Sequence, residues 1–223
     1  MAKISAMQAK KLWLQNLLQN GLEAIIFDLG GVIIDIDFNL TLRALERYTS
    51  HKFGTGEYFT KHPIFHSFET GKISEVEFFT QIRRMFKLEA TLLELQEAWN
   101  ALLLDIPQRR VDLLNNLKNR FSTFILSNTN LTHLAAVENI LRKQTTAQSL
   151  NELVKKPYYS FEVGKAKPET AIYEQIIEEN GLKPEKTLFI DDSLHNLIGA
   201  KKLGILTLQI QPHKEDICDF FSE

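Results

Sequence analysis

The chain has 223 residues, 44% hydrophobic and 24% charged, a balance that supports one large globular domain or one domain plus a small inserted module. Its 26 basic and 28 acidic residues leave a net charge of −2, so no field points to nucleic acid or to a membrane surface, and no run approaches the roughly 18 apolar residues that would span a bilayer. The lone cysteine, Cys218, excludes an internal disulfide framework and a multi-cysteine zinc site and fits a reducing, cytoplasmic setting.

Residues 1–21 read as a helix packed on the body. Lys3, Lys10 and Lys11 without acids suggest a targeting peptide, but Gln15 and Asn16 interrupt the apolar run, while Ile4, Met7, Leu14, Leu17 and Leu18 share one helical face. Gly21 then closes the segment. Short apolar runs follow that read as buried strands: Ala24–Phe27, Thr123–Leu126 and Leu188–Ile190, with Tyr158–Phe161 and Leu206–Ile210 as weaker members. Helical patterns lie between them. Pro168 precedes a stripe of Ile172, Tyr173, Ile176 and Ile177 that ends at Gly181, and Ser193–Leu203 runs into Gly204. Strands alternating with helices predict an α/β fold, a Rossmann-like parallel sheet core covered on both faces. Residues 37–106 break this rhythm. They read as helices over Leu40–Tyr48, Glu75–Phe86 and Leu92–Leu103, an inserted helical cap after the first strand. The expected organisation is an N-terminal helix over 1–21, a core over 22–36 and 107–223, and the cap over 37–106.

Each core strand runs into a polar residue: Asp28, Ser127, and the pair Asp191-Asp192, with Lys167 just before Pro168. Singly, each has an ordinary explanation as a turn former, a helix cap or a solvated charge. Together they set carboxylates, a hydroxyl and an ammonium along the carboxyl edge of one sheet, where ligands of such folds bind. Clustered carboxylates need a cation, and an all-oxygen set suits Mg²⁺. Ser127, the backbone N–H groups after it and Lys167 would neutralise a phosphate, and an aspartate could attack phosphorus in line.

The motifs Phe27-Asp28-Leu29-Gly30-Gly31-Val32, Leu126-Ser127-Asn128-Thr129, Lys167-Pro168 and Phe189-Ile190-Asp191-Asp192 together resemble the haloacid dehalogenase-like (HAD) hydrolase superfamily over residues 22–210. Within it, Phe27–Asn39, Phe65-His66, Glu69–Ser74, Trp99-Asn100-Ala101 and Leu126–Asn130 are similar to the bacterial α-D-glucose-1-phosphate phosphatases. The resemblance implies an Mg²⁺-dependent phosphatase of a small phosphorylated metabolite, a sugar phosphate in the narrower reading. Asp28 would be nucleophile and metal ligand, Asp192 the second direct ligand, Asp191 an outer-sphere carboxylate, and Gly30 a ligand through its backbone carbonyl. Ser127, Asn128 and Lys167 would bind the phosphoryl group, with His66 and Trp99 as further candidates for substrate contact. Ser127, Lys167 and Asp192 join Asp28 as the implied catalytic set.

One position departs from the pattern. Most phosphatases of the superfamily carry an aspartate two residues after the nucleophile as general acid, and here Gly30 stands there. Loss of such an acid costs about 10²–10⁴-fold unless the leaving group is good or another acid substitutes. Asp35, Asp37 and His66 are the candidates for that substitution. His51, His62, His133, His195 and His213 lack metal-ligand spacing and read as surface or cap contacts, while Phe53, Phe59, Phe65, Phe68, Phe78, Phe79 and Phe86 read as the cap's own small core. The alternatives are a phosphometabolite-binding or regulatory protein without turnover, and a haloacid dehalogenase. A phosphomutase is disfavoured by the absent acid, and a response-regulator receiver by the order of its motifs.

Overall fold

The computed structural model describes residues 5–54 and 62–221; Lys3, Ile4 and Phe59 lie outside the described residues. Five parallel strands, β1 (Ala24–Phe27), β2 (Ser122–Ser127), β3 (Lys156–Tyr159), β4 (Thr187–Asp191) and β5 (Leu206–Gln209), form one sheet in the order β3-β2-β1-β4-β5. The central strands are apolar without alternation because both faces are covered. Ile25, Phe27, Ile125, Leu188 and Ile190 join the core on one face. Ala24, Ile26, Phe124, Leu126 and Phe189 join the core on the other. Chain order reverses direction at β1 and β4, a topological switch point at which a crevice opens beyond the strand ends.

Helix α1 (Ala6–Gln19) opens with Ser5 and Gln8 capping each other reciprocally. Leu14 is its buried anchor, and the Lys10 ammonium bonds the Gln209 carbonyl and the Glu215 carboxylate at 2.9 Å. Met7, expected on the buried face, is exposed; the helix touches the body along too narrow a line to cover it.

Between β1 and β2 lie α2 (Phe38–Leu45), a 3₁₀ turn (Glu46–Tyr48), α3 (Pro63–Glu69), α4 (Glu75–Met85) and α5 (Leu92–Asn100). Capping boxes Ser74–Glu77 and Thr91–Glu94 start α4 and α5 where the sequence places them. Helix α5 stops three residues short of the expected Leu103, because Leu103 forms an antiparallel bridge with Ile36. The chain therefore enters and leaves the helical insertion side by side, with Asp35 N–H donating to the Asp105 carbonyl and Asp37 N–H to that of Leu102, both at 2.9 Å. Leu42, Leu45, Phe53, Phe65, Phe68, Phe78, Phe79, Phe86 and Trp99 belong to a cluster drawn entirely from the insertion.

The remaining helices flank the sheet: α6 (Gln108–Leu117), α7 (Leu131–Gln144), α8 (Leu150–Leu153), α9 (Ser160–Val163), α10 (Thr170–Asn180), α11 (Leu194–Lys201) and α12 (Ile217–Phe221). Strand β3 ends two residues before the expected Phe161, because Ser160 turns inward to begin α9. Gly181 takes the left-handed conformation that ends α10. No described helix is long and apolar enough to cross a membrane.

Candidate active site

Four connections converge beyond the carboxyl ends of the strands. Asp28 follows β1, Ser127 ends β2, Asp191 and Asp192 follow one another at the end of β4, and the loop before α10 delivers Lys167 through a cis peptide to Pro168. The sheet ladder continues into the site, since Asp28 N–H donates to the Ile190 carbonyl at 2.8 Å. Gly31 has φ +74° and lies so close to Asp192 that a Cβ there would stand 2.8 Å from its Oδ2, so the turn after Asp28 requires glycine.

Lys167 is the hub. Its ammonium donates to Asp28 Oδ1 at 2.7 Å, Asp191 Oδ2 at 2.8 Å and the Leu126 carbonyl at 3.0 Å, and it is almost wholly buried. Burial works against its charge, yet the Asp28 and Asp191 carboxylates outweigh that and hold its pKa above the ordinary lysine value. Asp191 also accepts from Ser193 N–H at 2.7 Å and from the Asn196 amide at 3.1 Å. Burial first, then the Asp191 charge, push the Asp28 carboxyl well above the usual range against the pull of Lys167. Burial and Asp191 raise Asp192 as well.

Oxygens of Asp28, Asp191 and Asp192 lie within 4.8 Å of one another. Three carboxylates against one ammonium form a hard, oxygen-only donor set with excess negative charge, which fits a small divalent cation. Asp191 already bonds Lys167, Ser193 and Asn196, so its geometry suits orientation, whereas Asp28 and Asp192 flank the cavity.

That cavity, of about 160 Å³, is lined by Asp28, Gly30, Ser127, Asn128, Lys167 and Asp192. Ile36, Leu102 and Leu103, at the two crossings into the insertion, supply an apolar wall. Thr129 is pinned behind the site by Ser160, whose hydroxyl accepts from its N–H at 2.9 Å and donates to its carbonyl at 3.1 Å. The Asn128 side chain holds the main chain of Lys167. Its amide donates to the Lys167 carbonyl and accepts from the Lys167 N–H, both at 2.9 Å, clamping the lysine loop to β2.

The structure brings Asp28, Gly30, Ser127, Asn128, Lys167, Asp191 and Asp192 together. Trp99 and His66 stand elsewhere. Trp99 is buried in the insertion, stacked on His133 with centroids 5.0 Å apart, because its indole is needed to fill that aromatic core. His66 is half exposed on α3, its Nε2 3.9 Å from Glu169 Oε1 at the rim.

Three residues given no site role by the motifs stand near the site, among them His133, which the sequence suggested was a surface or cap contact and which is instead largely buried. Asn196 lines the cavity and bonds Asp191. His133 also lines it, and burial lowers its pKa to about 4. The carboxyl of Glu69, at the end of α3, is raised to about 7 by burial, with the Lys167 charge acting against the rise. The signal for Glu69 was its place in the Glu69–Ser74 stretch, two residues before a glycine that the turn requires.

A model of haloacid dehalogenase-like hydrolases matches residues 22–204. The chain belongs to the haloacid dehalogenase-like hydrolase family. A D-ribitol-5-phosphate phosphatase of Bacteroides thetaiotaomicron is 30% identical over 189 residues, covering 83% of this chain and 90% of that protein. A HAD family enzyme of Bacteroides thetaiotaomicron, solved in complex with magnesium and inorganic phosphate, superposes with a TM-score of 0.79 at 32% identity, over 91% of this chain and 100% of the other. A predicted HAD-like hydrolase of Porphyromonas gingivalis gives 0.78 at 29% identity, covering 90% and 96%. The family match spans both the sheet and the helical insertion.

Proposed function

We propose that the chain is an Mg²⁺-dependent phosphatase of small phosphorylated metabolites, sugar or sugar-alcohol phosphates, working through an aspartyl phosphate on Asp28. The observation that carries this reading is the buried Lys167 holding Asp28 and Asp191 at 2.7 and 2.8 Å beside Asp192 at the switch point of the sheet. The phosphatase activity of a 30% identical relative and the magnesium and phosphate held by a structural neighbour support it.

Asp28, Asp192 and the Gly30 carbonyl would hold the metal, with Asp191 outside its direct shell; when bound, Mg²⁺ supplies charge neutralisation between carboxylate and phosphate. Lys167 keeps Asp28 oriented and offsets phosphate charge. Ser127 and the main-chain N–H groups after it are suited to the remaining phosphoryl oxygens. The Asp28 carboxylate attacks phosphorus, the ester bond breaks, and water then hydrolyses the acyl phosphate. Residues 37–106 act as the cap that selects the leaving group, over a core built from 22–36 and 107–223. No nucleic-acid or membrane partner is part of this reading.

A sugar 1-phosphate releases a hemiacetal alkoxide, which leaves readily. A sugar-alcohol phosphate releases a plain alkoxide and makes a stronger demand for a proton. Purified protein assayed on p-nitrophenyl phosphate with and without Mg²⁺, then on hexose, pentose and pentitol phosphates, tests the proposal. Metal-dependent turnover with a preference for polyol or sugar esters is the expected result. Absence of turnover favours the binding-protein reading, and a preference for nucleotides or phospho-amino acids overturns the substrate class alone.

A further inference from the structure

The turn that follows Asp28 is gripped from behind by a buried charge. Within the turn, Ile33 and Ile34 N–H donate to the Leu29 carbonyl at 2.9 and 3.0 Å, and Gly31 N–H donates to the Ile34 carbonyl at 2.8 Å. These bonds form a parallel bridge between Gly30 and Ile34 in which Leu29 and Gly31 do the pairing, so the Gly30 carbonyl takes no part in it. Residues 29–34 are tied into one unit, and Gly30, Ile34 and the neighbouring Ile36 all line the cavity.

Arg110, near the start of α6, holds that unit. Its side chain is buried, and its guanidinium reaches three groups. Nη1 donates to the Ile33 carbonyl at 3.1 Å and lies 2.9 Å from Asp35 Oδ1, while Nε and Nη2 donate to Asp216 Oδ2 at 3.1 and 2.9 Å. Asp216 is itself fixed, accepting from Arg109 at 2.6 Å and from Cys218 N–H at 2.9 Å. The planar fork thus joins α6, the turn after β1 and the stretch after β5, a task that a point charge on a flexible stem does not perform.

The stretch after β5 also reaches the other half of the carboxylate cluster. The Gln209 amide donates to the Asp192 carbonyl at 3.0 Å, and Ile210 N–H donates to the Asp191 carbonyl at 3.2 Å. Pro212 stands behind the turn, its Cγ 3.3 Å from where a Cβ on Gly31 would lie. One segment therefore registers Asp192 through Gln209 and the Gly30 turn through Asp216 and Arg110.

We propose that Arg110 is a positioning residue for the metal site: through the Ile33 carbonyl and Asp35 it fixes the Gly30 carbonyl in register with Asp28 and Asp192. The inference rests on the phosphatase reading, in which that carbonyl is a ligand of Mg²⁺. Arg110 touches neither substrate nor metal and takes no part in proton or phosphoryl transfer. Its loss leaves the carboxylates in place and loosens one neutral ligand, so the deficit falls on metal affinity and not on the chemical step.

The test uses Arg110→Lys, which keeps the positive charge but cannot serve Ile33 and Asp216 together. When metal-free protein is titrated with Mg²⁺ and followed by heteronuclear NMR, affinity should fall about 10–100-fold, the range for groups that support a metal ligand. In p-nitrophenyl phosphate hydrolysis the Mg²⁺ concentration for half-maximal rate rises by the same factor. At saturating Mg²⁺, kcat stays within a few-fold of wild type. Phe78→Ala, destabilised within the insertion, is the control and should melt at lower temperature with unchanged Mg²⁺ affinity. Asp216→Asn keeps an acceptor oxygen but removes the charge that anchors the guanidinium. It should shift Mg²⁺ affinity less and in the same direction, and it carries the test if Arg110→Lys does not fold. Unchanged affinity in these variants, an equal fall in Phe78→Ala, or a loss of kcat that saturating Mg²⁺ does not restore overturns the role of Arg110 and leaves the phosphatase standing. A wild type that responds to Mg²⁺ in neither assay removes the phosphatase reading first.

Discussion

The strand-end crevice and the helical insertion are built on opposite principles. Around Lys167 nearly every polar atom has a named partner, and the contacts run between four separate connections of one rigid sheet. The insertion holds itself together with aromatic rings, Phe68 stacked on Phe78 at 4.1 Å and Phe65 on Trp99 at 5.8 Å, in a cluster that contains no residue of the sheet. A polar network tolerates no slack, since a lost partner leaves a buried charge. An apolar cluster tolerates exchange of its members as long as volume is kept. The two regions can therefore change independently: the strand-end network is fixed by its partners, and the insertion by its volume.

The contrast breaks most sharply at Asp28. Asp28→Asn should lower kcat on any ester by about 10⁴-fold or more, as expected for removal of a nucleophile, while the sheet keeps its fold because the substitution removes one of three mutually repelling carboxylates. Mg²⁺-dependent turnover in stopped assays checks the first half, and the melting temperature without metal, expected to equal or exceed that of wild type, checks the second.

Stability losses of similar size should fall in different places. Lys167→Met leaves Asp28 and Asp191 buried without their counter-charge, at a cost of about 3–5 kcal/mol. Phe78→Ala empties the centre of the aromatic cluster, also at about 3–5 kcal/mol. Hydrogen exchange distinguishes them. Loss of protection across β1, β2 and β4 is expected for the lysine variant, and loss confined to α2 through α5 for the phenylalanine variant. If Phe78→Ala deprotects the sheet equally, the two regions unfold as one and the contrast drawn above is wrong.

These differences also explain what could be read from the chain. The strands and the residues at their ends were legible because an apolar run ending in a polar residue is a local pattern, and Ser74 and Thr91 announce their helices through capping boxes three residues wide. Long-range packing was not legible. Whether Trp99 fills a core or meets a ligand depends on His133, 34 positions away, and the partner of its ring lies on a different element. The partner of the Asn128 amide, the main chain of Lys167, lies 39 residues on and left no local signal. Asp35 and Asp37 were attractive as acids by proximity to Gly30, and only the fold showed them bonded to Arg110 and Asn39.

The seat of the insertion on the core is the place to sharpen the comparison. Gly71→Ala forces a Cβ to within 2.2 Å of the Phe161 carbonyl oxygen at a left-handed φ, so the end of α3 must move away from α9. The expected cost is about 1–3 kcal/mol. A displacement near 1 Å also reduces activity on sugar-alcohol esters by up to about 10²-fold. Turnover of p-nitrophenyl phosphate should suffer less, because the strand-end cluster is untouched. Parallel loss on both esters would mean that the cap contact supports the core site directly.

The smallest expected effect lies at the second joint, where α7 meets α5. His133 Nε2 donates to the Trp99 carbonyl at 3.1 Å and its Nδ1 accepts from the Asn130 amide at 3.2 Å, an arrangement that requires a neutral ring. A proton on Nδ1 would set two donors against each other. Burial accordingly lowers the pKa to about 4, against some support for the charged form from the Trp99 carbonyl. The unfolded chain binds a proton near the ordinary value of about 6.5, so the contribution of this joint is complete above that pH. It is lost as pH falls from about 6.5 toward about 4 and is constant below. His133→Gln retains an amide that can donate to Trp99 but cannot titrate. Its melting temperature should decline less than that of wild type between pH 7 and pH 4.5, by a few degrees, since the carboxylates common to both proteins contribute equally. Parallel decline in the two proteins would show that the insertion is not seated through a neutral imidazole, leaving the α3–α9 contact at Gly71 and the Thr132–Glu75 hydrogen bond among the contacts that hold it.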